Sequence, residues 1–140
     1  RYGLRLPTED EWEYGCRGGT TTPWQVGLEA LRTVANFCDL TAKKAGAQWG
    51  VFENWEDGHV VHAPVGRFIA NAYGLHDMHG NVSEWCGDML QTDAGAPDRA
   101  LRGGGFVDVA QSAQSSNRFG YGPTYRIPDL GLRPARTSRF

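Results

Sequence analysis

Apolar residues in this chain form short groups rather than long periodic runs, and only one stretch has a helical pattern. There, Trp12 and Cys16 lie four positions apart and so share one face of a helix. Thr8 and Glu11 form a T-x-x-E capping box before that face, and a glycine pair follows it. The pattern predicts one clear helix at about 8–17.

Short strands and turns are predicted for most of the remaining chain. Residues 4–7 are extended, because the position before a proline is pushed out of the helical region. Turn-forming residues interrupt the apolar groups of 20–68, which predicts irregular structure with short strands. Residues 71–85 predict a tightly folded loop that enters a strand, and 91–99 predict an exposed polar excursion.

Two further strands are predicted in the last third of the chain. One begins at about 99 and continues past the glycines at 103–105, which favour a bulge or a close backbone approach. The other lies at 130–133. Nineteen glycines and seven prolines in 140 residues are typical of a loop-rich chain. The sequence therefore predicts one α+β domain with a single core.

Charge is small overall but unevenly distributed. The net charge of −2 argues against a nucleic-acid partner. From Arg99 onward seven arginines stand against two aspartates, about +5, whereas residues 1–98 carry about −7. Charge balance within the domain and an anionic ligand on the basic tail both explain this pattern. No apolar run approaches the roughly 20 residues that cross a bilayer, so no membrane span is expected.

Cysteine usage leaves the compartment open. Cys16, Cys38 and Cys86 are an odd number without the CxxC spacing of zinc or redox sites. At most one disulfide can form, and a cytosolic protein could keep all three as thiols. We expect Cys38 and Cys86 to be core thiols.

Four sequence blocks occur in the order and spacing of one protein family. They are 5–19 (RLPTEDEWEYGCRGG), 73–85 (YGLHDMHGNVSEW), 101–104 (LRGG) and 130–133 (LGLR). Together they resemble the formylglycine-generating enzyme, or sulfatase-modifying factor, family, whose fold is a variant of the C-type lectin fold. The resemblance spans nearly the whole chain and implies that fold.

The family domain has a further N-terminal half, so the resemblance covers its C-terminal portion, at 1–140. The missing half would come from a larger protein or from another chain. Without it, a lectin-like core would have an uncovered sheet edge and apolar surface. We therefore expect these 140 residues not to be stable alone.

The resemblance implies two calcium sites in loops, and calcium prefers oxygen ligands of the kinds that these loops carry. One site would use the side chains of Asp77 and Glu84 with the carbonyls of Gly80 and Val82. From spacing alone, Asp77 and Asn81 could equally be turn caps and Glu84 a surface carboxylate.

The second implied calcium site joins two segments twenty residues apart. It would use the side chains of Asn36 and Asp57 with the carbonyls of Phe37 and His59. Both sites imply calcium as a structural cofactor.

Histidine spacing does not favour zinc. His76 and His79 are three apart, but they lie in a glycine-bearing turn without a third ligand nearby. His59 and His62 are expected to be solvated loop residues.

The resemblance argues against copper. In active members two cysteines after the glycine pair hold a copper ion that oxidises a substrate cysteine to formylglycine, and Cu(I) requires such soft ligands. Here those positions are Asp108 and Ala113, and no cysteine follows Cys86. The family's serine after the glycine pair is Gly105, and its aromatic before Glu-Trp is Ser83. No Ser/His/Asp or Cys/His arrangement replaces the lost chemistry.

In this fold the segment after the glycine pair forms the ligand-facing surface, at about 105–126. Aromatic residues and small amides there favour a binding surface, because aromatics give contact area at low entropic cost and amides give adaptable hydrogen bonds. Ordinary loop composition explains the same residues. The candidates are Phe106, Asp108, Gln111, Gln114, Asn117, Phe119, Tyr121, Tyr125 and Arg126.

The resulting prediction is a non-catalytic module that binds a protein or a small ligand at 105–126. Variable proteins of diversity-generating retroelements in this family use the same stretch as a mutable surface. The alternative is a copper-dependent formylglycine-generating oxidase or a related sulfatase-modifying enzyme.

Overall fold

The computed structural model describes residues 3–91 and 97–137. The single predicted helix is confirmed as α1, at Glu9–Arg17. Thr8 caps it, and the capping box with Glu11 is present in both directions. Gly18 ends α1 in the left-handed conformation, at φ 53°, which glycine adopts without steric cost.

A four-stranded sheet lies beside α1. Its strands are β2 at Ser83–Leu90, β3 at Asp98–Arg102, β4 at Phe119–Tyr121 and β5 at Leu130–Leu132. The spatial order is β4-β3-β2-β5, with β2 and β5 parallel and the other pairs antiparallel.

A second, two-stranded sheet joins the two ends of the described chain. The extended start, β1 at Leu4–Arg5, pairs antiparallel with β6 at Ala135–Arg136. The pattern predicted β1 and β5, but β6 was not foreseen. It lies directly after a proline and is only two residues long, so it carries no alternation of apolar and polar residues.

The segment 20–68 differs from its prediction, because its described residues contain no strand. Instead it has a 3-10 helix at Leu28–Thr33 and a short helix, α2, at Leu40–Lys44. Asp39 begins α2 by accepting hydrogen bonds from the backbone N–H groups of Thr41 and Ala42. Extended pairing is limited to two isolated bridges. The prediction of a single helix was therefore incomplete.

The strand at 99–107 also differs from its prediction. It ends at Arg102, because Gly103 and Gly104 adopt φ values of 94° and 71° and turn the chain out of the sheet. The polar stretch 91–99 lies partly outside the described residues, at 92–96, and its last two residues belong to β3.

The core consists of two clusters of buried residues. The first packs the 3-10 helix at Leu28–Thr33 and Phe37 against Ala110 and Ala113. The second packs α1 against the sheet through Trp12 and Met78. None of the helices in the described ranges has the length and apolar character that a bilayer span requires.

Candidate functional site

An ion pair with a buried carboxylate connects α1, β2 and the residue that follows β5. Glu84 is 5% exposed, and its Oε2 accepts the Trp12 Nε1–H at 2.7 Å. Arg133 donates to both oxygens, at 2.9 Å from Nε and 2.7 Å from Nη2. A carboxylate with three charge-assisted or indole donors is fully satisfied, so this pair fixes the relative positions of three distant segments.

A second arginine supports the segment after the glycine pair. Arg102 is 2% exposed and forms an ion pair with Glu13 of α1. Its two terminal nitrogens also donate to the carbonyls of Ser115, Ser116 and Asn117, at 3.0 to 3.2 Å. Arg102 therefore holds residues 115–117 through their backbone carbonyls.

His79 also contacts the backbone of the segment after the glycine pair. Its Nδ1 lies 2.8 Å from the Ala113 carbonyl, and its Nε2 accepts the Gln25 N–H at 3.2 Å. A carbonyl partner requires a proton on Nδ1 and an N–H partner requires none on Nε2, which defines a neutral ring. Burial lowers the pKa of His79, which favours the same neutral state. His79 thus has a structural role, and its ring nitrogens are engaged by the protein.

The three cysteines are free and buried, which confirms Cys38 and Cys86 as core thiols. Cys16 is buried as well, against His79 and Ser115. Burial raises the pKa of the Cys16 thiol to about 12. A thiol that remains protonated at neutral pH is a poor nucleophile and metal ligand.

The calcium set implied at Asn36, Phe37, Asp57 and His59 is brought together. Asp57 accepts the N–H of Phe37 at 2.8 Å and the N–H of His59 at 2.9 Å, one with each carboxylate oxygen. The Asn36 Oδ1 is buried without a hydrogen-bond partner among the described residues. Burial raises the pKa of Asp57 to about 6. Oxygen donors with one unused buried acceptor fit the ligand chemistry of calcium.

The calcium set implied at Asp77, Gly80, Val82 and Glu84 fits less completely. Asp77 has φ 56° and accepts the Gly66 N–H through Oδ2 at 2.7 Å, while its Oδ1 is buried without a partner in the described chain. Glu84, however, already has the Arg133 guanidinium on both oxygens. Gly80 and Val82 lie in the loop between them. Among the residues described, the Asp77 carboxylate therefore has a free oxygen for a metal ion, whereas Arg133 already neutralises the Glu84 carboxylate.

Side chains alone do not form a metal centre in the described residues. No group of three or more His, Cys, Asp or Glu side chains in 3–91 and 97–137 is placed to hold a metal ion. Calcium at either set would thus depend on backbone carbonyls, as the resemblance implies.

The two positions implied for copper ligands have structural roles. Asp108 accepts the Gly105 N–H through Oδ2 at 2.8 Å, which closes the turn after the glycines. Burial raises the pKa of Asp108, and the nearby Asp129 carboxylate adds to that rise. Ala113 is fully buried in the first core cluster. Carboxylate and methyl groups at these positions provide no soft ligand for Cu(I).

Gly105 is required by its surroundings. A Cβ at this position would lie 2.7 Å from both the Cβ and the Oδ2 of Asp129, closer than real Cβ contacts. The serine that the family has here cannot fit while Asp129 keeps its present position.

The predicted binding residues divide between the core and the surface. Phe106 is 3% exposed, so its side chain does not lie on the surface as predicted. It packs against Trp49 and His62, with ring centroids 5.4 and 4.8 Å away. His62 is exposed, but it also contacts the Pro128 carbonyl through Nε2 at 2.6 Å. These contacts join residues more than forty positions apart, and no local pattern indicates them.

The remaining predicted residues lie at or near the surface. Gln111 is exposed, and its carbonyl accepts the Asn117 Nδ2–H at 2.7 Å. Tyr121 and Tyr125 are 41% and 40% exposed and stack with centroids 4.5 Å apart and planes 11° apart. The other members of the set are Gln114, which is half-buried, and Phe119 and Arg126, which are exposed.

The family scan agrees with the resemblance. Residues 1–138 match the family model described as sulfatase-modifying factor enzyme 1-like domain. The chain is 35% identical over 145 residues to inactive C-alpha-formylglycine-generating enzyme 2 of Mus musculus, a match that covers 97% of this chain and 44% of that protein. It is 39% identical over 94 residues to the formylglycine-generating enzyme of Thermomonospora curvata, which covers 65% of this chain and 29% of that enzyme.

The solved structures agree on the fold. Treponema denticola variable protein 1 superposes with a TM-score of 0.69 and 31% identity, over 94% of this chain and 46% of that one. This chain thus spans less than half the length of each protein named here. The predicted α+β, C-type-lectin-like fold is confirmed. The chain belongs to the sulfatase-modifying factor family, which includes the formylglycine-generating enzymes.

Proposed function

We propose that this chain is a non-catalytic binding module that recognises a protein or a small ligand through the surface at 105–126. The observation that carries the proposal is the chemistry at Asp108 and Ala113. The first closes a turn and the second is a buried core methyl group. Neither can bind a thiophilic metal, and the remaining thiols are buried elsewhere in the molecule.

The similarity to a relative that is named inactive supports this reading, because that match covers nearly the whole chain. The likeness to a solved variable protein supports a recognition role. We extend the proposal to a surface that a diversity-generating retroelement varies. Backbone support by Arg102 and His79 suits such a role, since side chains at the surface can change while the main chain stays in place.

Calcium is the second part of the proposal. Asn36 and Asp57 with the carbonyls of Phe37 and His59 form the better-supported site. Each set has one buried oxygen without a partner in the described chain, but in the other set Arg133 already binds both oxygens of Glu84. The loop with Asp77, Gly80, Val82 and Glu84 is the second site. When bound, calcium would tie loop segments together and supply charge compensation for their carboxylates.

A copper-dependent oxidase is the alternative, because relatives named formylglycine-generating enzymes share similar identity. A turnover assay separates the two functions. The full-length protein is incubated with copper, oxygen and a CxPxR-bearing peptide, beside a family enzyme that has both cysteines. We expect formylglycine from the control enzyme only. Formylglycine made by this protein would overturn the binding proposal.

The retroelement version has a separate test. Sequencing the locus across isolates should show substitutions concentrated in the codons of 105–126, with positions such as Arg102 and His79 constant. An even distribution of substitutions along the gene would remove this version and leave a binding module of fixed sequence.

We also propose that the N-terminal half of the family domain is a partner of this chain. The resemblance assigns that half to a larger parent protein or to another chain, and each relative named above is more than twice as long as the matched region. Mass measurement of the native protein, isolated with whatever is bound to it, identifies which arrangement exists.

A further inference from the structure

A cavity of about 610 Å³ lies beside the central sheet, next to the end of the proposed binding surface. Its size is within the range of small-molecule sites, about 300–1,000 Å³. Most of its walls are apolar side chains, and the two charged lining residues in the described part of the chain are both arginines. The lining residues are Leu6, Trp85, Arg99, Pro123, Arg126, Ile127, Leu130, Gly131 and Leu132.

Arg99 is held at one side of the cavity by two backbone carbonyls of β2, where the pairing of β2 with β3 is irregular. The register between β2 and β3 shifts between Trp85 and Met89, which interrupts the regular ladder. The Arg99 Nη1 donates to the carbonyls of Cys86 and Gly87 in this interval, at 3.2 and 3.0 Å. The irregularity therefore positions the guanidinium.

Arg126 is held by its own turn. Its Nη1 donates to the carbonyls of Pro123 and Tyr125, at 3.2 and 2.7 Å. A guanidinium carries five N–H groups, so Arg126 and Arg99 each retain donors beyond these backbone contacts. Within residues 3–91 and 97–137, neither arginine forms an ion pair with a carboxylate.

Among residues 3–91 and 97–137, no acidic residue lines the cavity. Asp88 lines a neighbouring depression that shares Leu6 and Arg99, but its Oδ2 accepts the Glu9 N–H at 2.7 Å and caps the start of α1. Two positive charges at an apolar cavity attract an anion, and planar guanidinium groups match the oxygens of carboxylates and phosphates.

We propose that this cavity binds a small organic acid, with its apolar body against Trp85, Leu130 and Leu132 and its carboxylate at Arg99 and Arg126. An inorganic anion alone would leave the apolar walls without a partner, and a neutral apolar molecule would leave the arginine donors without one. The inference deepens the proposed binding function and gives one explanation for the basic tail. It rests on that function, since Arg126 belongs to both surfaces.

Calorimetric titration of the full-length protein tests this inference with three probes: decanoate, decanol and inorganic phosphate. We expect saturable decanoate binding at one site, binding of decanol at least about 10-fold weaker, and no saturation by phosphate. Equal affinity for decanoate and decanol, saturation by phosphate, or no binding of decanoate would each overturn the inference. Capture of an acidic peptide without decanoate binding would assign the cavity to a protein partner and also overturn it.

Variants locate the site. Arg126→Gln and Arg99→Gln should each weaken decanoate binding by about 10- to 100-fold, the value of a hydrogen bond to a charged group. Arg67→Gln is the matched control, because Arg67 is exposed and lines a different cavity. It should bind decanoate as the unmodified protein does. Unchanged affinity in both cavity variants would contradict the assignment.

Tryptophan fluorescence gives a second readout that does not depend on the arginines. Decanoate should change the emission of the unmodified protein, and the change should be absent in Trp85→Phe, because Trp85 lines the cavity. The same change in Trp85→Phe would place the ligand elsewhere. A third result separates the two proposals. If a protein ligand binds and Gln111→Ala abolishes that binding, while decanoate does not bind, the recognition function stands and only the cavity inference is overturned.

Discussion

Two regions differ in how their side chains are used: the polar frame of Glu84, Arg102 and His79, and the surface segment at 105–126. In the frame, Glu84 and Arg102 are almost fully buried and each has several charged or backbone partners. In the segment, Tyr121 and Gln111 are exposed, and the contacts that hold it reach mostly its main chain. Under the proposed function, stability and recognition would depend on different residues. Substitutions should therefore affect one property with little effect on the other.

The largest loss of stability should follow Glu84→Gln. The change removes the charge of the buried Glu84 from its pair with Arg133, whose side chain is 29% exposed. Breaking a fully buried pair costs about 3–5 kcal/mol of unfolding free energy, so the loss here should be about 3 kcal/mol, at the lower end of that range. Urea unfolding measures the loss. Glu56→Gln is the control, because its pair with Lys44 is exposed and should contribute less than about 1 kcal/mol. Equal losses in both variants would contradict the distinction between frame and surface.

Calcium removal should give the next largest effect. At 100 times its dissociation constant, a ligand bound only to the native state contributes about 2.7 kcal/mol. Melting with and without chelator should show a lower Tm without calcium. Asp57→Asn should abolish most of this shift, and Asp77→Asn less of it, since Glu84 in the second loop already has Arg133. An unchanged Tm in chelator would remove calcium from the account.

Restoring the family serine should destabilise the turn after the glycine pair. Gly105→Ser places a Cβ against Asp129 and should cost about 1–3 kcal/mol, the range for overpacking. Gly122→Ser is the matched control in the surface segment, because no atom of the residues that the structure describes lies within 4 Å of a Cβ there, apart from the chain neighbours. It should change the unfolding free energy by less than about 0.5 kcal/mol. The comparison fails if Gly122 is the more sensitive position.

Acid should weaken the contact between His79 and the segment. The folded-state pKa of His79 lies below its ordinary value of 6.5, so the unfolded chain takes up a proton first as pH falls. Stability from this residue is complete above about pH 6.5 and decreases below it, down to the folded pKa, by at most about 1.4 kcal/mol per pH unit. Urea unfolding at several pH values measures the slope. His79→Gln should have a smaller slope, and an unchanged slope would assign it to other groups.

The smallest effects on stability should come from the segment itself. Tyr121→Ala and Gln111→Ala remove exposed side chains and should each change the unfolding free energy by about 0.5 kcal/mol or less. Binding of a partner should weaken in both, and calorimetry would measure that loss. A large stability loss without any effect on binding would place these residues in the frame instead.

The sequence predicts those features whose determinants are local. The helix α1 was predicted to within one residue, because Thr8, Glu11 and Gly18 are contiguous signals of its ends. The fold followed from four blocks that resemble one family. The short helix α2 was missed, since its five residues show little periodicity and its main signal is the single cap Asp39.

Features that depend on distant contacts could not be predicted. Glu84 was expected to be a calcium ligand, but it accepts hydrogen bonds from the Arg133 guanidinium. The two residues are 49 positions apart, so no local pattern indicates this contact. Phe106 was assigned to the surface because it lies in the segment after the glycine pair, which forms the ligand-facing surface in this fold. Its burial depends on Trp49 and His62, which reach it from another part of the chain.

Copper binding by the full-length protein tests the central claim most directly. Titration with copper(I) against a competing chelator measures whether a thiophilic metal is held, and the CxPxR peptide reports any turnover in the same sample. We predict no stoichiometric copper and no formylglycine, because Asp108 and Ala113 stand where soft ligands are required. One tightly bound copper per protein, with oxidation of the peptide thiol, would contradict the account.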